Sequence, residues 1–140
     1  MAGWPLIFPQ ELIRAAKYGT INLHAGRLPN FRGGSPLNWQ IIEGKKKIYI
    51  SIIKMTKRID AGPVYLTKKI ILTTKENIND LHNKVNKIYL YMVENTIQRI
   101  LKKIKPKKQN IKLKRYLKQR SDKDGKIKWN QMTDYQVFNL

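Results

Sequence analysis

The run Ile21-Asn22-Leu23-His24-Ala25-Gly26-Arg27-Leu28-Pro29-Asn30-Phe31-Arg32-Gly33-Gly34-Ser35-Pro36-Leu37-Asn38-Trp39 decides how the rest of the chain is read. Thr20 to Leu23 reads as a strand, and residues 25–34 read as a loop rich in Gly, Pro and Arg. Ser35-Pro36 reads as an N-cap with proline at the first helical position, opening a helix through Trp39, Ile41 and Ile42 to Gly44. Asn22 and His24 stand two apart at the C-terminal end of the strand, so both side chains share a face. In a parallel sheet that edge is where ligands bind. An amide donor beside an imidazole suits negative charge forming on a carbonyl oxygen under attack. A carboxylate is the natural third member, because it orients the imidazole or takes a proton. Asp60, within Arg58-Ile59-Asp60-Ala61-Gly62-Pro63, follows the next strand and is one of three acids in the first 60 residues. Taken singly, each residue also has a plain structural reading: a strand-end polar group caps a loop, and Asp before Ala-Gly makes a turn.

Working outward, Trp4 to Phe8 reads as a short buried strand closed by Pro9. Glu11 to Tyr18 reads as a short helix stopped by Gly19. Ile48 to Ile53 is β-branched and apolar, as a strand covered on both faces would be. A loop from Met55 to Pro63 leads to a strand over Val64 to Leu72. From Asn77 an amphipathic helix carries Ile78, Leu81, Val85, Ile88, Met92, Ile97, Ile100 and Ile104 on one stripe, and Pro106 ends it. His82 reads as a helix-surface or packing residue, and Tyr89, Tyr91 and Met92 as packing. Strands alternating with helices predict an α/β domain with a mostly parallel sheet and flanking helices. About four strands are visible and the chain opens directly on one, which is part of a doubly wound fold rather than the whole.

The 140 residues include 29 Lys and Arg against 9 Asp and Glu, a net charge of +20. Such a balance suits an anionic partner. Yet Lys, Ile and Asn number 22, 19 and 11, the residues of A- and T-rich codons, and base composition alone would produce that excess. Composition leaves both open. Residues 101–120 carry ten basic side chains and no acid. The chain has no cysteine and two separated histidines, which excludes disulfides, thiolate chemistry and a local metal cluster. Its apolar runs are too short for a membrane span, and no secretory signal opens it, so a cytoplasmic protein is expected.

The order Asn-x-His, Leu-Pro-x-Phe-Arg-Gly, Pro-x-x-Trp, a Gly-closed helix, a β-branched strand and Ile-Asp-x-Gly resembles the catalytic domain of the formyltransferases that use 10-formyltetrahydrofolate. Among these are methionyl-tRNA, glycinamide ribonucleotide and amino-sugar formyltransferases. The resemblance covers residues 3–72 well and the long helix weakly. Asp124-Gly125-Lys126-Ile127-Lys128-Trp129 is similar to a segment that follows the catalytic domain in several members. It implies a Rossmann-like fold of which this chain is the C-terminal half, with 10-formyltetrahydrofolate as formyl donor, no metal and no membrane. Asn22, His24 and Asp60 match the catalytic Asn, His and Asp, the first two stabilising oxygen and the third moving protons. Leu6, Ile7 and Phe8 match the loop beside the pterin ring, with Asp60 facing them across it. Arg32 matches a position that shapes the turn or contacts substrate. Two departures stand out: Gly26 and Arg27 replace a serine and an apolar residue.

Ser35 to Ile42 is similar to the sugar enzymes, which implies an amino sugar, free or nucleotide-linked, as the amine partner. Methionyl-tRNA is the alternative, supported by the basic run. The expected division is a partial catalytic domain over 1–104 and a basic connector with the start of a C-terminal segment over 105–140. Relatives carry a longer N-terminal portion, so a separate N-terminal half or a homo-oligomer would complete the cleft. Rival readings are an inactive fragment and a basic RNA-binding module.

Overall fold

The computed structural model describes residues 6–111 and 115–140. In chain order the elements are α1 (Gln10–Ala15), β1 (Ile21–His24), β2 (Arg32–Gly33), α2 (Pro36–Ile42), β3 (Lys47–Lys54), β4 (Val64–Ile71), α3 (Ile78–Leu101), β5 (Tyr116–Leu117), a 3₁₀ turn (Asp122–Gly125) and α4 (Asp134–Phe138).

The most apolar stretch becomes the central strand. Ile48, Ile50, Ile52 and Ile53 of β3 are buried on both faces, each removal from water contributing about 1.5–3 kcal/mol. β1 and β4 flank it in the order β1-β3-β4. The register puts His24 opposite Ser51 and Asn22 opposite Ile53, with an irregularity at Ile52/Ile53 where β3 meets β4. α3 lies on this sheet through Leu81, Val85 and Met92, and α2 adds Leu37 and Ile41 to the same core. Asn77 caps α3 in a box with Asp80.

The α/β class is seen, but strand direction corrects the expectation of a mostly parallel sheet. Both pairs in the three-stranded sheet are antiparallel. The Met55–Pro63 loop is shorter than the crossover of about a dozen residues that a parallel β3-β4 pair needs. Parallel pairing among the described residues is confined to β2 with β5.

Other expectations shift in detail. Leu6 to Phe8 form no strand, since the described sheet ends at β1 and offers them no pairing, while Trp4 and Pro5 lie outside the described residues. Ser35 sits before α2 in a left-handed conformation (φ 45°), so its side chain makes no cap and its Oγ instead accepts the Arg120 N–H at 3.1 Å. The buried stripe of α3 runs Leu81, Val85, Tyr89, Met92, Thr96, leaving Ile97 and Ile104 exposed. The 3.6-residue period carries the core face from Met92 to Thr96 rather than to Ile97. The helix ends at Leu101, with Lys103 at φ 55° turning the chain away before Pro106.

Candidate active site

Asp60 stands at the meeting point of three segments that are distant in sequence. Its Oδ2 accepts the Gly33 N–H at 2.9 Å and lies 3.5 Å from His24 Nδ1. Its Oδ1 lies 3.5 Å from the Asn22 amide nitrogen. The two-residue spacing on β1 therefore does bring Asn22 and His24 to one face, and the loop after β3 returns Asp60 to them.

That loop is tightly specified. A Cβ at Gly62 would lie 1.7 Å from the Lys54 carbonyl, so only glycine fits where the loop folds back on β3. Asp60 itself adopts φ 49°, the left-handed region that Asp tolerates better than bulkier residues. Gln109 spans the loop from outside. Its Nε2 donates to the carbonyls of Asp60 at 2.9 Å and Gly62 at 2.6 Å. Lys107 adds a pair of backbone bonds to Val64 at 2.8 Å each.

His24 is 5% exposed and engaged at both ring nitrogens. Nε2 donates to the Phe31 carbonyl, an obligate acceptor, which leaves Nδ1 as the nitrogen that faces the Asp60 carboxylate. Gly26 makes this possible. A Cβ there would meet the Phe31 carbonyl at 2.5 Å and His24 Nε2 at 2.7 Å. The replacement of the family's serine by Gly26 thus fits the packing of the imidazole.

Asn22, His24 and Asp60 line one part of a cleft of about 1040 Å³, large enough for a ligand well above the size of a single sugar. Leu6, Ile7 and Phe8 line the same cleft, as do the apolar side chains of Ile53, Met55 and Val85. Arg32 is half-buried in β2 beside Tyr116 and is not among the described lining residues. His82, exposed on α3, also borders the cleft. Tyr89 lines it with a buried hydroxyl that has no partner among the described residues, and burial pushes its ionisation upward, keeping it a donor. Tyr116 is raised first by burial and then by the Asp60 charge, with Arg32 opposing. Among the described residues no group of three His, Asp or Glu could hold a metal ion.

A family model described as formyl transferase matches residues 1–97. The chain belongs to the formyl transferase family. It is 34% identical over 135 residues to the methionyl-tRNA formyltransferase of Thermodesulfovibrio yellowstonii, a match covering 96% of this chain and 43% of that protein. HypX from Aquifex aeolicus, solved in complex with tetrahydrofolic acid, superposes with a TM-score of 0.80 at 20% identity, covering 99% of this chain and 24% of that one. The N-formyltransferase of Helicobacter canadensis, solved with folinic acid and dTDP-3-aminofucose, gives a TM-score of 0.72 at 21% identity, covering 85% and 45%. The chain spans less than half the length of the curated relatives it matches.

Within this member of the family, sequence reasoning missed Gln109, Gly33, Tyr89 and Tyr116. Gly33 acts through a backbone N–H, which no side-chain pattern reveals. Tyr89 sits on the buried stripe of α3, where an aromatic reads as packing. Gln109 and Tyr116 come from the basic connector, where the density of charge masks individual uncharged side chains.

Proposed function

We propose that this chain carries the reacting end of a formyl transferase cleft and transfers a formyl group from 10-formyltetrahydrofolate to the amine of an amino sugar, free or nucleotide-linked. The observation that carries the reading is the convergence of Asn22, His24 and Asp60 on one part of a mostly apolar cleft that Leu6, Ile7 and Phe8 also line. The cleft fits an elongated folate, with apolar walls for its rings and an unpartnered Tyr89 hydroxyl for a polar edge. When bound there, 10-formyltetrahydrofolate supplies the activated formyl group. Leu6, Ile7, Phe8 and the Asp60 loop hold its pterin end.

The remaining chemistry belongs to the protein. Asn22 presents an amide donor where negative charge collects on a carbonyl oxygen. His24 orients the carboxylate, its Nε2–H held by the Phe31 carbonyl and its Nδ1 facing Asp60. Asp60 takes the proton that the attacking amine must lose and returns it to the leaving nitrogen. Arg32, in β2 and paired with Tyr116, holds the turn that presents the Gly33 N–H. The sugar acceptor rests on the similarity of Ser35 to Ile42 to sugar enzymes, and a structural neighbour was solved with an amino-sugar nucleotide.

A second reading is methionyl-tRNA as acceptor, favoured by the 34% identity to a methionyl-tRNA formyltransferase over nearly the whole chain. One assay separates them. The purified chain is incubated with 10-formyltetrahydrofolate and either nucleotide-linked amino sugars or methionyl-tRNA, and formylated product is read by mass spectrometry. A formylated sugar that is lost in Asn22→Ala and Asp60→Ala is the expected result. Formylated methionyl-tRNA alone would move the assignment to the second reading, and no product from any amine would overturn both.

A further inference from the structure

Behind the catalytic loop lies a second cavity of about 570 Å³, lined by five cations: Arg27, Lys45, Lys46, Lys47 and Arg115. Among the described residues no acid lines it, although Glu43 at its margin pairs with Arg115 and sits 3.7 Å from Lys45. One carboxylate against five cations leaves a strong positive excess in a concave space.

Two of the cations are held in place. The Arg27 guanidinium stacks over the Tyr49 ring, 4.7 Å from its centroid, and Arg115 stacks over Phe31 at 5.1 Å. Stacking fixes the Arg27 guanidinium plane and leaves its N–H edges to recognise phosphate oxygens, whereas both terminal nitrogens of Arg115 already bond the Glu43 carboxylate. Lys45 and Lys46, on the turn between α2 and β3, and Lys47, at the start of β3, are exposed and supply point charges to the same space. The cavity floor is ordered, because buried Gln40 bonds the Tyr49 backbone in both directions, at 2.8 and 3.1 Å. A dispersed lysine bias would scatter charge; here it converges on one concave space around the stacked Arg27.

We propose that this cavity is a binding site for the phosphate groups of a nucleotide or polynucleotide, separate from the catalytic cleft. It is independent of the formyl-transfer reading, since none of its charged residues lines the catalytic cleft.

The test is an NMR titration of the full chain at low salt with pyrophosphate, ADP and a short single-stranded RNA, following the backbone amides of Arg27, Gly44, Lys45, Lys46 and Lys47. Saturable shifts at these amides are expected, with affinity falling about tenfold or more in Arg27→Gln and in Lys46→Glu/Lys47→Glu, and steeply with salt. Lys123→Glu/Lys126→Glu changes the net charge equally on the exposed tail and should alter affinity less than about twofold. Saturation by pyrophosphate and ADP identifies a free phosphate ligand, whereas saturation by RNA alone identifies a polynucleotide backbone. Shifts spread over lysines across the surface, or equal losses in the tail variant, would overturn the site. Binding of 5-formyltetrahydrofolate, measured in parallel, should be unchanged in the cavity variants, so failure here and failure of the formyl-transfer reading are read separately.

Discussion

On its inner side the loop from Ala25 to Gly34 meets His24 and Asp60 through two contacts: the Phe31 carbonyl and the Gly33 N–H. On its outer side the same loop offers Arg27 and the Phe31 ring to an open, cationic space. The inner side is dry and works by atomic geometry, where a shift of half an ångström removes a donor. The outer side is wet and works by summed charge, which tolerates movement but not salt. Phe31 belongs to both, its carbonyl inward and its ring outward. One loop thus separates a geometric site from an electrostatic one, and substitutions should sort cleanly by which side they touch.

The largest effect is expected at Asp60. Asp60→Asn keeps the volume but removes the proton acceptor facing His24 Nδ1, so transfer should fall by about 100- to 10,000-fold with the circular dichroism spectrum unchanged. Next is Gly26→Ala, whose Cβ must displace either the Phe31 backbone or the imidazole. Urea unfolding should show a loss of about 1–3 kcal/mol, together with a changed His24 ring signal. Gln109→Ala removes both bonds that brace the Asp60 loop. Its kcat should fall about tenfold while KM for folate stays put, since two carbonyls lose their donor but no ligand contact is removed. If KM moves instead of kcat, Gln109 touches ligand and the bracing role is wrong.

The smallest effect lies outside the comparison and marks its edge. A hydrogen bond from Lys118, then one from the Ser121 backbone, holds the Asp124 carboxyl at about 2, below its ordinary 3.8. A depressed carboxylate stabilises the fold above its ordinary value, and that contribution fades as pH drops from about 4 to 2. Acid titration should therefore loosen the Ser121–Gly125 turn in this window, and Asp124→Asn should abolish the dependence.

The first half of the chain was largely legible because its signals are local. β-branched Ile48 to Ile53 made β3, Gly44 closed α2, and the Asn22–His24 spacing placed two polar groups on one face. Asp60 was found because acids are scarce there. What escaped was set by tertiary contact. Strand direction in the sheet depends on how a short loop turns, which apolar runs do not encode. Ser35 has the composition of a cap, but its backbone is drawn left-handed and its hydroxyl serves Arg120. The connector read as solvated charge, yet Gln109, Tyr116 and Leu117 within it reach the Asp60 loop or β2, contacts that lie more than 45 residues away in sequence. Counting charge hid them.

The central claim is that the Asn22–His24–Asp60 end of the cleft, with Leu6 to Phe8, binds and activates a folate formyl donor. Calorimetric titration of the folded chain with the stable analogue 5-formyltetrahydrofolate tests it most directly, with His24→Ala and Asp60→Ala alongside. Saturable one-site binding that weakens in Asp60→Ala is expected. A chain that is folded by NMR yet shows no saturable binding would contradict it.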